Sequence, residues 1–461
     1  MVIFMIFKDR KAKYTICRTL AAACVLCMFI QSLFLTVSAD ENKTEFPSLD
    51  GAEYVYLYNF ENDTVLYEKG DFDAPVYPTS TVKLMAGIAA IEALEGDFTK
   101  SITITDEMLS HASGNSIGLV AGEVVTAEQM LYAALINSAN DAAVVLAYIA
   151  SGSIDDFVQL MNRKAEELGA HGTVYTNPTG MHDDAMKTTT ADTVLIAKYA
   201  YTLPKLMEIV GAQKYVMDAT NLSEYRNIYN RNCLISKHYR TEYYYPNAIG
   251  MNAGSTAQGG YCTVAAAKNN DGTLTYLCVI MNAKAVETDG VDDLRNYSCA
   301  VDLFDWAFDA YSYREILSEK TVICEIPVEL SSTADYVTLV PSDSLTVYLA
   351  SDIDVEKEIK IIPTTTDEIL DAPIEKGQVL GQAKVVYGDK ELGRVDLTAT
   401  SDITRSEFLF VLRRIGEITS QRFFIGAIAA AVILSVIYVL VKARIRQRRY
   451  RSRVQNVRRR R

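Results

Sequence analysis

The chain has 461 residues and a formal net charge of −13, which is enough length for two or three domains with complete hydrophobic cores. The charge is unevenly distributed: residues 1–39 carry +4 and residues 442–461 carry +11, which leaves −28 on the body between them. An acidic body with a short basic tail argues against a nucleic-acid-binding protein, whose basic residues lie on the folded domain. We therefore expect no nucleic-acid partner.

The N-terminal residues have the pattern of a secretory signal. Five basic residues come first, a mostly apolar stretch follows from Leu20 to Leu35, and positions 37–39 provide small residues for cleavage. Residues 1–39 are therefore predicted to be a signal peptide. An uncleaved membrane anchor is the alternative, because the apolar stretch is long for a signal.

Between the two ends, the hydrophobic periodicity predicts an α+β protein over residues 45–318. Helices are predicted at residues 80–94, 126–135, 142–150, 156–168, 190–201 and 292–313. Strands are predicted at residues 52–58, 64–67, 102–104, 261–267 and 274–281. The last two are separated by Asn269-Asn270-Asp271-Gly272, a sequence typical of a β-hairpin.

From residue 319 the composition changes to short strands separated by turn residues. These strands are predicted at residues 321–329, 336–340, 345–349, 359–362, 383–387 and 392–397. The pattern predicts a small all-β domain over residues 319–402. Residues 403–422 are assigned as a juxtamembrane segment, in which 408–418 has the pattern of an amphipathic helix at a membrane surface.

A second apolar run, residues 423–441, contains 19 residues without a charge. As a helix it would be roughly 28 Å long, enough to cross the hydrocarbon core of a bilayer. The basic residues of 442–461 follow directly, and the positive-inside bias predicts a cytoplasmic tail and an extracytoplasmic body. A buried core helix is the alternative, and the adjacent basic residues argue against it.

Cysteine and histidine usage gives no sign of a metal site or cofactor. Five cysteines remain after removal of the signal: Cys233, Cys262, Cys278, Cys299 and Cys324. Their odd number and scattered spacing favour buried free thiols over a disulfide framework. A single disulfide bond is the alternative, because the compartment outside the cytoplasm is oxidising. The four histidines are also too scattered for a metal cluster, so we expect no metal and no cofactor.

A Ser-x-x-Lys pair, Ser80 and Lys83, lies at the start of the first long apolar helix. Residues three apart share a helix face, so the hydroxyl and the amine would meet there. A serine nucleophile needs a base, and a lysine amine serves as one only if its pKa falls from about 10.4 to roughly 7–8. The alternative is an N-cap serine with a solvated lysine. Ser80 is the only serine in the sequence with a lysine three residues later.

A hydroxyl and a carboxamide lie two residues apart at Ser138 and Asn140, between two predicted helices. An acyl-transfer site needs groups of this kind, one to pass a proton to the leaving amine and one to orient the substrate amide. The alternative is that Ser138 or Asn140 caps the next helix.

Taken in order, Ser80-x-x-Lys83, Ser138-x-Asn140 and the stretch 250–254 resemble the three active-site motifs of the low-molecular-weight penicillin-binding proteins. These are the serine-type D-alanyl-D-alanine carboxypeptidases of peptidase family S11. The resemblance spans roughly residues 45–400. It implies an antiparallel sheet flanked by helices, the penicillin-binding and β-lactamase-like transpeptidase fold, followed by a β-rich domain and a C-terminal membrane attachment.

The resemblance also implies a role for each matching position. Ser80 would attack the peptide carbonyl between two D-alanines, and Lys83 would take its proton. Ser138 would relay a proton to the leaving D-alanine, and Asn140 would bind the substrate amide. The backbone N–H groups of Ser80 and Ser255 would form the oxyanion hole. β-Lactam antibiotics would acylate the same serine.

The third motif departs from the family's Lys-Thr-Gly and reads Asn252-Ala253-Gly254. Gly254 is retained and allows close approach of the backbone. The lost cation would help to bind the substrate's terminal carboxylate and to depress the pKa of the base. A charge-assisted hydrogen bond is worth about 1.5–3 kcal/mol, so binding would fall roughly 10–150-fold. Loss of the nucleophile costs on the order of 10⁶ in rate, so we expect a weakened or retuned site. Asn252, Gly254 and Ser255 are its expected substrate-binding positions, together with Asn140.

The sequence therefore predicts a membrane-anchored, extracytoplasmic carboxypeptidase that removes terminal D-alanine from peptidoglycan stem peptides. The first alternative is a catalytically weak protein that binds penicillin or peptidoglycan, which the Asn252 departure favours. The second is a β-lactamase, against which the β-rich domain and the membrane anchor argue.

Overall fold

The computed structural model describes residues 45–288, 291–420 and 422–458, and the predicted signal peptide, residues 1–39, lies outside these ranges. The chain divides into two compact units. The first contains the residues up to Ser312 together with Ala350–Asp352. The second contains Tyr313–Leu349 and the residues from Ile353 onward.

An antiparallel sheet forms the centre of the first unit. The strands are β1 (Tyr54–Asn59), β2 (Thr64–Lys69), β3 (Ser101–Thr103), β4 (Val124–Thr126), β5 (Lys214–Met217), β6 (Arg226–Tyr229), β7 (Ala248–Thr256), β8 (Gly260–Lys268), β9 (Thr275–Ala283), β10 (Ala285–Thr288) and β11 (Val291–Leu294). Five of them form the sheet in the order β2-β1-β9-β8-β7, so that β7 is an edge strand. The predicted hairpin joins β8 to β9, and three further pairs, β3-β4, β5-β6 and β10-β11, lie outside this sheet.

Helices pack around this sheet. They are α1 (Val82–Ala93), α2 (Asp106–Ser110), α3 (Ala127–Ile136), α4 (Asn140–Ser151), α5 (Ile154–Glu167), α6 (Thr190–Tyr201), α7 (Pro204–Gly211) and α8 (Arg295–Ala310). Short 3₁₀ turns lie at Thr79–Thr81 and Thr241–Tyr243. The helix predicted over residues 292–313 is shorter in the structure, because the residues on both sides of α8 continue as strands.

The position of α1 follows from its composition. Its residues from Val82 to Ala90 are all buried, as expected for a helix that is apolar on every side. Next in the chain, α3 begins with a capping box between Thr126 and Gln129. Gly152, in the left-handed conformation with φ +88°, ends α4. Lys83 lies in the first turn of α1, and Asn140 is the first residue of α4.

The rest of the chain as far as residue 403 is mainly β-structure, which confirms the predicted C-terminal β domain. Its elements are β12 (Tyr311–Leu317), β13 (Cys324–Glu329), β14 (Tyr336–Pro341), β15 (Leu345–Ala350), α9 (Val355–Glu358), β16 (Ile359–Thr365), β17 (Leu370–Asp371), β18 (Val379–Tyr387) and β19 (Lys390–Ala399). A six-stranded sheet has the order β16-β18-β19-β14-β13-β17. Its own hydrophobic core includes Leu339, Val385 and Leu397, which are fully buried.

Two helices end the described chain, α10 (Glu407–Ser420) and α11 (Arg422–Arg458). Apolar side chains of α10 recur at helical spacing and are exposed: Phe408, Val411, Leu412, Ile415 and Ile418. Its Arg413 forms ion pairs with Glu329 and Asp371 of the β domain. Within α11, residues 425–451 contain an 18-residue stretch with a mean hydropathy of 2.4, and the helix is long and apolar enough to cross a membrane.

Residues 111–123 connect α2 to β4, and we call this connection the cavity loop. A buried ion pair holds it in place. Arg226 of β6 donates from both terminal nitrogens to Glu123, at 2.6 and 3.1 Å, and Thr220 donates to the same carboxylate at 2.8 Å. The Glu123 side chain is fully buried. Burial by itself raises the pKa of Glu123, but the hydrogen bonds from Arg226 and Thr220 outweigh it and bring the pKa below its ordinary value.

Glu123→Gln is expected to destabilise the first unit by about 3–5 kcal/mol at pH 7, because Arg226 loses its carboxylate. The folded pKa of Glu123 is depressed, so its stabilising contribution is present above the ordinary value of 4.5 and is lost as the pH falls through the folded pKa. The difference between wild type and variant should therefore shrink in acid. Denaturant unfolding monitored by the single tryptophan, Trp306, measures it.

The matched control is Glu242→Gln, which breaks a solvent-exposed pair with Arg240. This change should cost less than about 1 kcal/mol. Equal losses in the two variants, or a difference that does not shrink as the pH falls, would contradict the assignment of Glu123.

Candidate active site

A cavity of about 340 Å³ brings the separated sequence motifs together. Five of the predicted site residues line it: Ser80, Ser138, Asn140, Gly254 and Ser255. The other two predicted residues, Lys83 and Asn252, are buried behind its wall. The cavity thus lies between the start of α1, the connection from α3 to α4, and the edge strand β7.

Ser80 and Lys83 are neighbours in space as well as in sequence. Ser80 lies in the 3₁₀ turn that leads into α1, and Lys83 lies in the first turn of the helix. Lys83 Nζ is 3.5 Å from Ser80 Oγ, a long contact of the kind often seen in catalytic pairs before substrate binds. Capping does not explain Ser80, because the N-cap of α1 is Thr81 and no side chain caps it.

The environment of the Lys83 amine favours its neutral form. The side chain is fully buried, and this burial lowers the pKa of Lys83 from 10.5 to about 7. The amine donates a hydrogen bond to the carbonyl oxygen of Thr179. A neutral amine beside a hydroxyl can accept its proton, so the pair has the geometry and the charge state of a base and a nucleophile.

The turn at residues 177–180 holds the carbonyl that contacts Lys83. Asn177 Oδ1 accepts hydrogen bonds from Thr179 N, Thr179 Oγ1 and Gly180 N, at 3.1, 2.7 and 2.9 Å. Gly180 has φ +77°, and a Cβ at this position would lie 2.1 Å from Thr79 O, so only glycine fits. The sequence predicts this turn but not its contact with the base.

The connection between α3 and α4 presents Ser138 and Asn140 to the cavity. Ser138 adopts the left-handed conformation with φ +57°. Asn140 is almost fully buried, and its Nδ2 donates to Ser113 O at 2.6 Å. The N-cap of α4 is Ala139, without a side-chain hydrogen bond. The capping alternative for Ser138 and Asn140 is therefore wrong.

Strand β7 approaches Ser80 closely at Gly254. A Cβ at Gly254 would lie 2.4 Å from Ser80 Cβ and 2.8 Å from Ser80 N, so a side chain there would displace the serine. Asn252 lies two residues earlier and is 2% exposed. Its Nδ2 donates to Leu135 O at 3.4 Å. This placement favours a packing role for Asn252 over direct contact with a substrate.

Among the cavity-lining residues that sequence reasoning missed are Arg231 and Asn115. Arg231 Nη1 donates to Asn115 Oδ1 at 3.3 Å, and its guanidinium carbon lies 5.3 Å from the centre of the Tyr239 ring. The one available signal is that residues 225–241 contain four basic and no acidic residues, within an otherwise acidic body. Charge pattern alone does not place any of these residues in a cavity.

No metal centre accompanies the site within the part of the chain that the structure describes, because its His, Cys, Asp and Glu side chains form no group of three or more that could hold an ion. The five cysteines there are free thiols. Cys233 lines the cavity, but burial raises the pKa of its thiol above the ordinary value, which disfavours the reactive thiolate.

The fold and the site together define a protein of the penicillin-binding transpeptidase class. Its hallmarks here are the helix-flanked antiparallel sheet, the Ser80–Lys83 pair at the start of a buried helix, and the separate β domain. The chain belongs to the peptidase S11 family, described as D-alanyl-D-alanine carboxypeptidase, which matches residues 41–285. Residues 311–405 match the C-terminal domain of penicillin-binding protein 5. The predicted family and fold are confirmed.

Individual relatives cover most of the chain. It is 27% identical over 402 residues to the D-alanyl-D-alanine carboxypeptidase DacF of Bacillus subtilis, which covers 86% of this chain and 96% of the relative. It is 25% identical over 392 residues to the D-alanyl-D-alanine carboxypeptidase DacC of Escherichia coli, and this match covers 81% of this chain and 89% of DacC. The structure of penicillin-binding protein 5 from Haemophilus influenzae covers 78% of this chain and 99% of its own, with a TM-score of 0.53 and 22% identity. That similarity supports the fold alone.

The low pKa of Lys83 can be measured directly. In protein labelled with ¹³C at lysine Cε, one resonance should titrate with a midpoint near pH 7, whereas exposed lysines titrate near 10.4. The resonance should be absent from Lys83→Met and present in Lys187→Met, an exposed control. A lysine spectrum in which every midpoint lies above pH 10 would contradict the burial argument.

Proposed function

We propose that this protein is a membrane-anchored serine D-alanyl-D-alanine carboxypeptidase that removes terminal D-alanine from peptidoglycan stem peptides. The observation that carries the proposal is the Lys83 amine, which is fully buried, has a pKa of about 7 and lies 3.5 Å from Ser80 Oγ. The activity for which the S11 family and the relatives in Bacillus subtilis and Escherichia coli are named supports the substrate class.

In the proposed acylation step, Ser80 Oγ attacks the carbonyl carbon between the last two D-alanines while Lys83 takes the hydroxyl proton. The backbone N–H groups of Ser80 and Ser255 stabilise the resulting oxyanion, and the close approach of Gly254 to Ser80 supports this arrangement. The Ser138 hydroxyl gives a proton to the nitrogen of the terminal D-alanine as the C–N bond breaks and takes the proton held by Lys83 in its place, so that Lys83 is neutral again. D-Alanine leaves, and the shortened peptide remains as an ester on Ser80.

In the proposed deacylation step, a water molecule attacks the ester and gives a proton to Lys83. The bond to Ser80 Oγ breaks, the serine recovers its proton, and the shortened peptide leaves as a carboxylate. Asn140 orients the substrate throughout, because its side-chain oxygen can accept an amide N–H while its Nδ2 is held by Ser113 O. β-Lactams form the same type of ester on Ser80.

Arg231 is proposed to replace the cation that the third motif lacks. It lines the same cavity as Ser80, and a guanidinium binds a carboxylate through two parallel hydrogen bonds. It is the one lysine or arginine among the described residues that line this cavity. The substrate's terminal carboxylate is its natural partner, so the site is retuned instead of lost.

The C-terminal helices supply the proposed attachment to the membrane. Helix α11 is long and apolar enough to cross a bilayer, and the basic residues of 442–461 at its end favour the cytoplasmic side. The exposed apolar face of α10 suits the bilayer interface. The acidic body then lies outside the cell, where the stem peptides are.

The second candidate function is a penicillin- or peptidoglycan-binding protein with little turnover. The observation that favours it is the third motif, where Asn252 is buried away from the cavity and Ala253 provides no hydroxyl. The two candidates predict the same labelling by penicillin but different rates of D-alanine release.

A fluorescent penicillin is expected to label the detergent-solubilised full chain covalently, and Ser80→Ala should abolish the labelling. Wild type should release D-alanine from a pentapeptide, and the variant should lose turnover by on the order of 10⁶. Ser110→Ala, an exposed serine near the cavity loop, is the matched control and should behave as wild type. Labelling that survives Ser80→Ala would remove Ser80 as the nucleophile, and labelling without release would favour the second candidate.

Arg231→Ala should lower kcat/KM for a pentapeptide about 10–150-fold, the effect of losing a charge-assisted hydrogen bond. Most of the change should appear in KM, because the contact with the carboxylate exists before the bond breaks. Arg231→Lys should recover part of the loss, and Arg240→Ala, an exposed control, should have little effect. An unchanged KM in Arg231→Ala would show that another group binds the carboxylate.

A further inference from the structure

The amide side chain of Asn115 lies between Arg231 and the connection that carries Ser138, and it bonds to both. Its Nδ2 donates to Asn137 O at 2.6 Å and to Asn137 Oδ1 at 3.3 Å. Its Oδ1 accepts a hydrogen bond from Arg231 Nη1 at 3.3 Å. Because Asn115 also lines the cavity, this bridge is part of the wall that a substrate meets.

The Nδ2 group of Asn115, which donates hydrogen bonds, restrains Ser138 through Asn137. With φ +57°, Ser138 is in the left-handed region, which a non-glycine residue keeps only when its neighbours hold it. Asn137, immediately before it, is fixed by Asn115 on one side and donates from Nδ2 to Tyr229 O at 3.2 Å on the other. The backbone oxygen of Asn115 also accepts from Asn140 N at 2.7 Å. The cavity loop therefore holds both ends of the segment 137–140.

The Oδ1 atom of Asn115, which accepts a hydrogen bond, restrains Arg231. An arginine side chain has many rotamers, and holding it in one position requires directional contacts. The Tyr239 ring packs against the guanidinium at 5.3 Å but gives no direction to its N–H groups. The hydrogen bond to Asn115 Oδ1 supplies that direction and selects a position at the cavity wall.

We propose that Asn115 is a positioning residue that sets the spacing between Arg231 and Ser138. The inference rests on the proposed function, in which both residues act on the leaving D-alanine. Arg231 binds its carboxylate and Ser138 protonates its nitrogen. In an α-amino acid these two groups are attached to one carbon, so the distance between their protein partners must be fixed. The bridge therefore selects α-amino acids as leaving groups and disfavours longer ones such as β-alanine.

Two near-isosteric variants separate the halves of the bridge. Asn115→Asp keeps an acceptor for Arg231 but loses the donor to Asn137 and places a carboxylate against its carbonyl oxygens. Asn115→Leu loses both contacts. Asn227→Asp, an exposed position on β6, controls for the added negative charge. Unfolding monitored by Trp306 verifies that each variant is folded, and penicillin labelling provides a second check in the variants that keep Ser80.

The binding measurement uses the Ser80→Ala full chain in detergent and the probe diacetyl-L-lysyl-D-alanyl-D-alanine. Asn115→Asp should leave the Kd within about twofold, and Asn115→Leu should raise it about fivefold, within the range of a single net hydrogen bond. In an Arg231→Ala background the effect of Asn115→Leu on Kd should disappear. Additive effects of these two changes would overturn the coupling between Asn115 and Arg231.

The turnover measurement uses the otherwise wild-type chain. Asn115→Asp should lower kcat about tenfold with little change in KM, and this effect should vanish in a Ser138→Ala background. Release of β-alanine relative to D-alanine from matched peptides should rise in Asn115→Leu. The positioning role would be overturned if Asn115→Asp and Asn115→Leu changed kcat and KM in the same way. It would also be overturned if Asn115→Leu kept the wild-type preference for D-alanine over β-alanine.

The two arms distinguish this inference from the proposed function. Absence of D-alanine release by wild type would refute the proposed function, whereas the Kd measurement does not depend on turnover and tests the Asn115–Arg231 coupling by itself. Normal release with additive Kd effects would refute the inference alone.

Discussion

The buried amine of Lys83 is the feature on which the rest of the site depends. Its surroundings hold the pKa near 7, so that at neutral pH about half of the molecules carry an uncharged base beside Ser80. If water reached the amine, its pKa would return to about 10.4, and the neutral fraction at pH 7 would fall to roughly one in 2,500. The apolar packing around α1 is therefore a catalytic requirement under the proposed function, as well as a source of stability.

Excluding water from Lys83 requires the backbone on both sides of Ser80 to pack closely. Gly180 and Gly254 do this, because a Cβ at either position would collide with Thr79 or Ser80. Asn177 holds the turn that contains Thr179, and the carbonyl oxygen of Thr179 accepts a hydrogen bond from the Lys83 amine. A polar amine can remain in this interior because it has that partner, since a buried donor without one is strongly unfavourable.

The sequence predicts the features that depend on short spacing and leaves out those that depend on long-range packing. The Ser80–Lys83 pair and the hairpin at residues 269–272 follow from local geometry and are found in the structure. The contact of Lys83 with Thr179 joins residues 96 positions apart, and that of Arg231 with Asn115 joins residues 116 apart. No periodicity encodes such pairs, because sheet order and loop packing bring them together.

Asn252 shows how topology changes the meaning of a motif. Side chains alternate along a strand, so Asn252 shares a face with Gly254, and this face points toward the helices. The Asn252 amide bonds to Leu135 O and does not line the cavity. The lowered pKa of Lys83 does not depend on the missing cation, because burial alone accounts for it. Under the proposed function, the departure therefore affects carboxylate binding and leaves the activation of Ser80 intact, so a cation elsewhere on the cavity wall can compensate for it.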